Sequence, residues 1–232
     1  MNKIKFSALS VKGKREKNED AYLAEKIGKY YVFAVADGMG GHAYGDRASK
    51  IAIMELRETL KRSKGKPEDL LKKAFEKANR EILAYSEIVG RRMGSTLVAC
   101  LLNEEGEVVI GNVGDSRAYI INHNIWHTKD HNYLQELLNS NLIDEKEAKK
   151  HPMRNIVTRA LGIEEKVEPD IYKIKLKGTL LLCSDGLHDY VEDREIEKIV
   201  RTYKPEDACK ELVKLALKRS EDNITVIVIG LE

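Results

Sequence analysis

Apolar positions recur along this chain with two periods, and the switches between them outline most of its elements. Ile4, Phe6 and Ala8, with Leu9 and Val11, give a near-alternating pattern that predicts a half-buried strand over 3–11. A second strand is expected over 22–27, a turn at Gly28 and Lys29, and then the unbroken run YVFAVA from Tyr31 to Ala36. That run is too short for a helix and is followed by glycines, so it reads as a buried strand paired to its predecessor as a hairpin. The period then lengthens: Ala48, Ile51, Ala52, Leu56 and Leu60 predict a helix over 46–62. Pro67 fits the first turn of a second helix to about residue 88, carrying Leu70, Leu71, Ala74, Phe75, Ala78, Ile82 and Leu83 inward.

Short strands are expected at 97–102, 108–111 and 125–127, with a break at Gly114–Arg117 where one strand ends and another starts. Residues 171–176 and 179–183 read as a hairpin about Lys177 and Gly178. Helices over 192–201 and 205–219 and a last strand over 224–229 complete the pattern. The polar stretch 129–165 stands apart. It offers a short helix around Leu134, Leu137 and Leu138, a capping box from Asp144 to Glu147, and the basic run HPMRNIVTRALG. Two readings stand for it: a lid or binding loop beside a site, or a plain helical excursion.

Composition narrows the class. The chain has 232 residues and only 4 Pro, with no low-complexity tract, which suits a single domain over 1–232. No run approaches about 18 apolar residues, and the first residues lack the apolar core of a signal peptide, so a cytoplasmic protein without membrane contact is expected. Cys100, Cys183 and Cys209 sit in apolar stretches and read as reduced core residues. Forty basic and 38 acidic residues leave a net charge of +2, which argues against a nucleic-acid binder.

The chemistry lies where apolar runs meet acids. YVFAVADGMGG and LLLCSDGLHD both run from an apolar strand into Asp and Gly, at Asp37 and Asp185. An acid at the end of a buried strand needs a partner or a metal; taken singly, an Asp and Gly pair is also a common turn. Glu19 and Asp222 lie at further strand ends, with Asp222 placed so that an antiparallel neighbour would bring it to the same sheet edge as Asp37 and Asp185. Four carboxylates balance two divalent cations, and hard ions such as Mg²⁺ and Mn²⁺ prefer oxygen ligands. Two such ions about 3.5–4 Å apart activate a water for in-line attack on phosphorus. Arg15 could grip a phosphate, whereas Asp115 and Arg117 also read as a turn residue and its surface partner. No nucleophile elbow, Walker loop or zinc spacing occurs, and Ser184 has no evident base.

REKNED, ADGMGGHAYGDRAS, GSTL, NVGDSRAY, LLLCSDGLHDYV and DNITVIVI stand in one order over residues 7–230. In this the chain resembles the bacterial type 2C (PPM) metal-dependent serine/threonine protein phosphatases. The resemblance implies an α+β fold, a four-layer α/β/β/α sandwich of two mainly antiparallel sheets flanked by helices. It implies that Asp37 bridges two Mn²⁺ or Mg²⁺ ions, that Asp185 and Asp222 complete one, and that Glu19 and the carbonyl of Gly38 serve the other. Asp20 would orient metal-bound water, Arg15 would hold the substrate phosphate, and Asp115 with Asp189 would offer a third, weaker site. Residues 129–165 would be the flap, with His131 and 154–162 close to the family pattern. Met39 stands where animal members have a His proposed as general acid, His42 does not inherit that role, and His188 stands where many relatives have Trp. The expected activity is hydrolysis of phosphoserine and phosphothreonine on proteins by a monomer opposing a bacterial kinase. A phosphatase of other phosphoesters and a non-catalytic phosphoprotein binder are the alternatives.

Overall fold

The run Tyr31–Ala36 is apolar throughout because both faces of its strand are covered. In the computed structural model, which describes residues 3–40, 44–144, 147, 151, 153 and 156–231, Val32, Ala34 and Ala36 face two helices while Phe33 and Val35 face a second sheet. The same two-residue alternation holds on the other sheet, where Leu181 and Cys183 turn to helices and Leu180 and Leu182 to the sheet interface. A strand covered on both sides has no solvent face to be polar.

One sheet has the strand order β1 (Ile4–Val11), β11 (Ile224–Leu231), β10 (Thr179–Cys183), β7 (Arg117–Ile121), β8 (Ile125–His127). The other runs β2 (Asp20–Ile27), β3 (Tyr30–Met39), β5 (Leu97–Leu102), β6 (Glu107–Val113), β9 (Asp170–Lys175), with the short β4 (Gly94–Ser95) pairing the end of β3. All the strand pairs are antiparallel. Helices α1 (Gly45–Arg62) and α2 (Pro67–Val89) cover the second sheet. On the first sheet lie the short α4 (Asp185–His188), α5 (Asp193–Thr202) and α6 (Pro205–Ala216). This is the four-layer sandwich that the resemblance implies. Among the described residues, no helix is long and apolar enough to cross a membrane.

Two sequence expectations need correction. Residues 171–176 and 179–183 do not form a hairpin: β9 pairs with β6, and β10 pairs with β7 and β11 in the other sheet. Leu176 is buried between the sheets and Gly178 takes φ +93°, so the turn carries the chain across the sandwich instead of folding it back. Nor does β3 stop at Asp37; it runs on to Met39 because β4 pairs with Gly38 and Met39.

The segment after β8 begins with α3 (Tyr133–Asn139), capped by the Asn132 side chain, which accepts from the Gln135 N–H. Its two ends are stitched together by a bridge between Asn132 and Val157, and Leu161 bridges to Ser95. The reciprocal hydrogen bonds of the Asp144 and Glu147 capping box are present; the helix expected after it, like Arg154 and His42, lies outside the described residues. Cys100, Cys183 and Cys209 are buried and unpaired, as expected of core thiols.

Candidate active site

Carboxylates converge where the ends of the two sheets meet. Asp20 opens β2 and is the register partner of Asp37 on β3. From the other sheet, Asp185 lies two residues past the end of β10, and Asp222 precedes β11, whose Val226 pairs with Cys183. Asp115 sits at the turn where the chain passes from β6 to β7, and so from one sheet to the other. The expectation of a single sheet edge is therefore corrected: Asp37 comes from one sheet, Asp185 and Asp222 from the other.

Glycines permit this approach. A Cβ on Gly38 would fall 1.9 Å from the Gly45 carbonyl oxygen, and one on Gly186 would fall 1.9 Å from that of Asn223. Gly45 in turn lies against Glu19, whose carboxylate carbon would be 2.8 Å from an added Cβ. The backbone around Asp37 is pinned: its N–H donates to Thr96 Oγ1 (2.9 Å), and its carbonyl accepts from Thr96 N–H (2.8 Å) and Ser95 Oγ (3.0 Å). Glu19 is held by its N–H, which donates to Asn223 Oδ1 at 2.8 Å. The Asn223 amide donates to the carbonyls of Lys12 and Lys17, each at 2.8 Å.

The cluster is electrostatically uncomfortable by itself. Burial and then the charges of Asp20, Asp185, Asp115 and Asp222 hold the Asp37 carboxyl well above its usual range. Burial pushes Asp20 up to about 7, against hydrogen bonds from Thr225 and Ser184 that favour its charged form. Asp115 is pushed up to about 8 by burial and then Asp185, and Asp185 to about 6 by burial and then Asp189 and Asp222. Asp20 Oδ1 and Asp185 Oδ1 are buried without a hydrogen-bond partner. Crowded, buried, acceptor-only oxygens fit divalent cations, which would satisfy the open lone pairs and cancel the repulsion. Among the described residues no three His, Cys, Asp or Glu side chains close into a compact cage.

Arg15 is exposed and donates from Nη2 to Asp222 Oδ2 at 2.8 Å, which places a guanidinium at the mouth of the cluster. Asp189 neighbours the buried His188, whose Nε2–H donates to the Asp115 carbonyl at 2.9 Å. Arg117 is not a surface partner of Asp115. It is half-buried and makes a two-pronged pair with Asp130, at 2.8 and 2.7 Å. Ser184 is fully buried with its hydroxyl committed to Asp20, so it cannot reach a phosphoester as a nucleophile. Sequence reasoning missed Asn223 and the hydroxyls around Asp20; the Asn directly after Asp222 was the visible signal for the first.

Two helix-covered antiparallel sheets with a crowded acidic centre at their junction are the arrangement that the resemblance to metal-dependent phosphatases implies. The model of the family Protein phosphatase 2C matches residues 10–219, and the chain belongs to that family. It is 39% identical over 229 residues to the serine/threonine phosphatase stp of Listeria innocua, covering 93% of this chain and 90% of that one. The crystal structure of serine/threonine phosphatase Stp1 from Staphylococcus aureus superposes with a TM-score of 0.91 at 36% identity, covering 100% of this chain and 96% of that one. The catalytic domain of the phosphatase PstP, solved with two manganese ions, superposes with a TM-score of 0.87 at 31% identity over 98% of both chains.

Proposed function

We propose that this chain removes phosphate from phosphoserine and phosphothreonine on proteins at a site built on Asp37. The observation that carries the reading is the convergence of buried carboxylates from both sheets, with raised pKa values and unpartnered oxygens. Asp37, Asp185, Asp222, Glu19 and the Gly38 carbonyl would hold two Mn²⁺ or Mg²⁺ ions, with Asp115 and Asp189 offering a third, weaker position. When bound, the ions supply a water that is nucleophilic at neutral pH and a counter-charge for the departing oxygen. Asp20 would orient that water, and Arg15 would hold the phosphoryl oxygens with charge-assisted hydrogen bonds. Met39, at the end of β3, has no ionisable proton and cannot act as acid to the leaving group.

The stretch 129–165 is assigned as a flap of this single domain. In support, its His131 accepts the Gly114 N–H through Nδ1 at 3.1 Å, next to Asp115. The physiological setting proposed is a cytoplasmic monomer opposing a serine/threonine kinase; the buried reduced cysteines accord with a reducing compartment. The experiment is hydrolysis of a phosphothreonine peptide with Mn²⁺, with EDTA, and with excess Mn²⁺ restored. Turnover should vanish with EDTA and return with the metal. Asp37→Ala should lose more than the about 100-fold that outer residues around a metal are worth, while remaining folded by circular dichroism. Retained turnover in Asp37→Ala would sink the assignment.

A further inference from the structure

The hydrogen bonds around Asp20 form a closed ring with a single direction. The Asp20 N–H can only donate, and Asn18 Oδ1 accepts it at 3.2 Å. That fixes which way the Asn18 amide points, so its Nδ2 is the donor to Ser10 Oγ at 2.9 Å. Because the one Thr225 hydroxyl proton is committed to Asp20 Oδ2, Ser10 gives its own proton to Thr225 Oγ1, 2.7 Å away. Thr225 Oγ1 donates in turn to Asp20 Oδ2 at 2.6 Å. A second donor reaches the same oxygen: Ser184 Oγ, at 2.8 Å, itself oriented by accepting the Thr225 N–H at 3.0 Å. Both Thr225 and Ser184 donate to Oδ2, while Oδ1 is buried with no donor.

The ring also joins the two sheets. Asp20 belongs to β2, whereas Ser10 and Thr225 are register partners on β1 and β11, and Ser184 follows β10. Hydroxyl donors hold a carboxylate in place without cancelling its charge, as a lysine or arginine would. The negative field that a divalent cation needs is left intact.

We propose that Ser10, Asn18, Ser184 and Thr225 are positioning residues for this site: Thr225 and Ser184 occupy Oδ2 of Asp20, Ser10 and Asn18 hold Thr225 and the Asp20 backbone in place, and Oδ1 is reserved for the metal centre. The proposal rests on the phosphatase reading above. Removing a donor frees the carboxylate to turn, and the water it orients loses its direction; substrate phosphate, gripped elsewhere, is unaffected.

Thr225→Val keeps the side-chain volume and removes the hydroxyl, and Thr225→Ser restores it. Kinetics on a phosphothreonine peptide at saturating Mn²⁺ should show kcat lowered about tenfold or more in Thr225→Val, with KM within about twofold of wild type. Calorimetric titration with Mn²⁺ alone should show severalfold weaker binding. Thr225→Ser should return both quantities to within about threefold of wild type. Ser184→Ala should lose kcat in the same manner. Ser10→Ala, one step further from Asp20, should lose less. Thermal melts in EDTA establish that each variant is folded. Thr225→Val with wild-type kcat and Mn²⁺ affinity would overturn the proposal, as would a Thr225→Ser variant no better than Thr225→Val. Wild-type protein that binds Mn²⁺ but turns over no phosphopeptide would instead overturn the phosphatase reading, since the Mn²⁺ titrations read the ring independently.

Discussion

Asp20 and Asp37 stand opposite each other as register partners on adjacent strands, and the Asp20 charge is second only to burial in raising the Asp37 pKa. Two acids facing each other in register, Asp20 buried and Asp37 half-buried, make the metal-free protein a proton sink. Asp20 is pushed up to about 7 and Asp115 to about 8, in both cases chiefly by burial, against about 3.9 in an unfolded chain. A carboxyl whose folded pKa is raised binds its proton more tightly in the native state. Its contribution to stability is full below the unfolded value and is lost as pH rises through the folded one.

In EDTA the melting temperature should therefore fall between pH 7 and 8. His127 and His131, whose pKa values are lowered first by burial, give the opposite slope only at and below about pH 6.5, whereas His188, raised against burial and Arg117 by its hydrogen bond to Asp189 and the Asp130 charge, adds to the fall, so this window reads the carboxyls together with His188. Mn²⁺ should remove the fall, with protons released on binding. Calorimetry in buffers of different ionisation enthalpy measures that release. A metal-free melting temperature that is flat or rising from pH 7 to 8 would contradict the electrostatic account.

How far such a centre can be read in a sequence depends on whether the signal is local. The double burial of β3 was legible, because a run apolar on both faces needs only the two-residue period. The Asp and Gly pairs were legible because close backbone approach at Gly38 and Gly186 excludes any Cβ. The partners of β9 and β10 were not: two strands flanking a short turn look alike whether they pair or cross a sandwich. The single sheet edge expected for Asp37, Asp185 and Asp222 fails for the same reason, since they converge from both sheets. The ring on Asp20 draws Ser10, Ser184 and Thr225 from positions up to 215 residues apart, and no spacing rule encodes it.

Arg117 shows what such non-local placement means for stability. A turn arginine would be solvated, yet this side chain is only 18% exposed and its partner Asp130 6%, with Nε and Nη2 on the two oxygens of Asp130 and Nη1 donating to Tyr119 Oη at 2.9 Å. Tyr119 Oη donates onward to Asp193 Oδ1 at 3.1 Å, at the start of α5. Removing one member of a buried pair leaves the other desolvated and uncompensated, at a cost of about 3–5 kcal/mol. Asp130→Ala should show that loss in urea unfolding carried out in EDTA. Replacing both partners, as Arg117→Met with Asp130→Leu, should cost less than the single change. A loss under about 1 kcal/mol for Asp130→Ala would mean that water reaches the guanidinium.

Arg15 presents the opposite case. Its side chain is 58% exposed while paired to Asp222, and an exposed pair is worth about 0–1 kcal/mol. Arg15→Ala should leave the melting temperature in EDTA nearly unchanged. If its guanidinium receives the phosphoryl oxygens of the substrate, the loss should appear in binding. KM for a phosphothreonine peptide should rise about tenfold or more, as for a lost hydrogen bond to a charged group, and the inhibition constant of inorganic phosphate should rise with it. Arg15→Lys should recover only part, because an ammonium cannot offer two parallel donors. A fall in kcat with KM and phosphate inhibition unchanged would count against a binding role. It would move Arg15 to the stabilisation of charge that develops during the reaction.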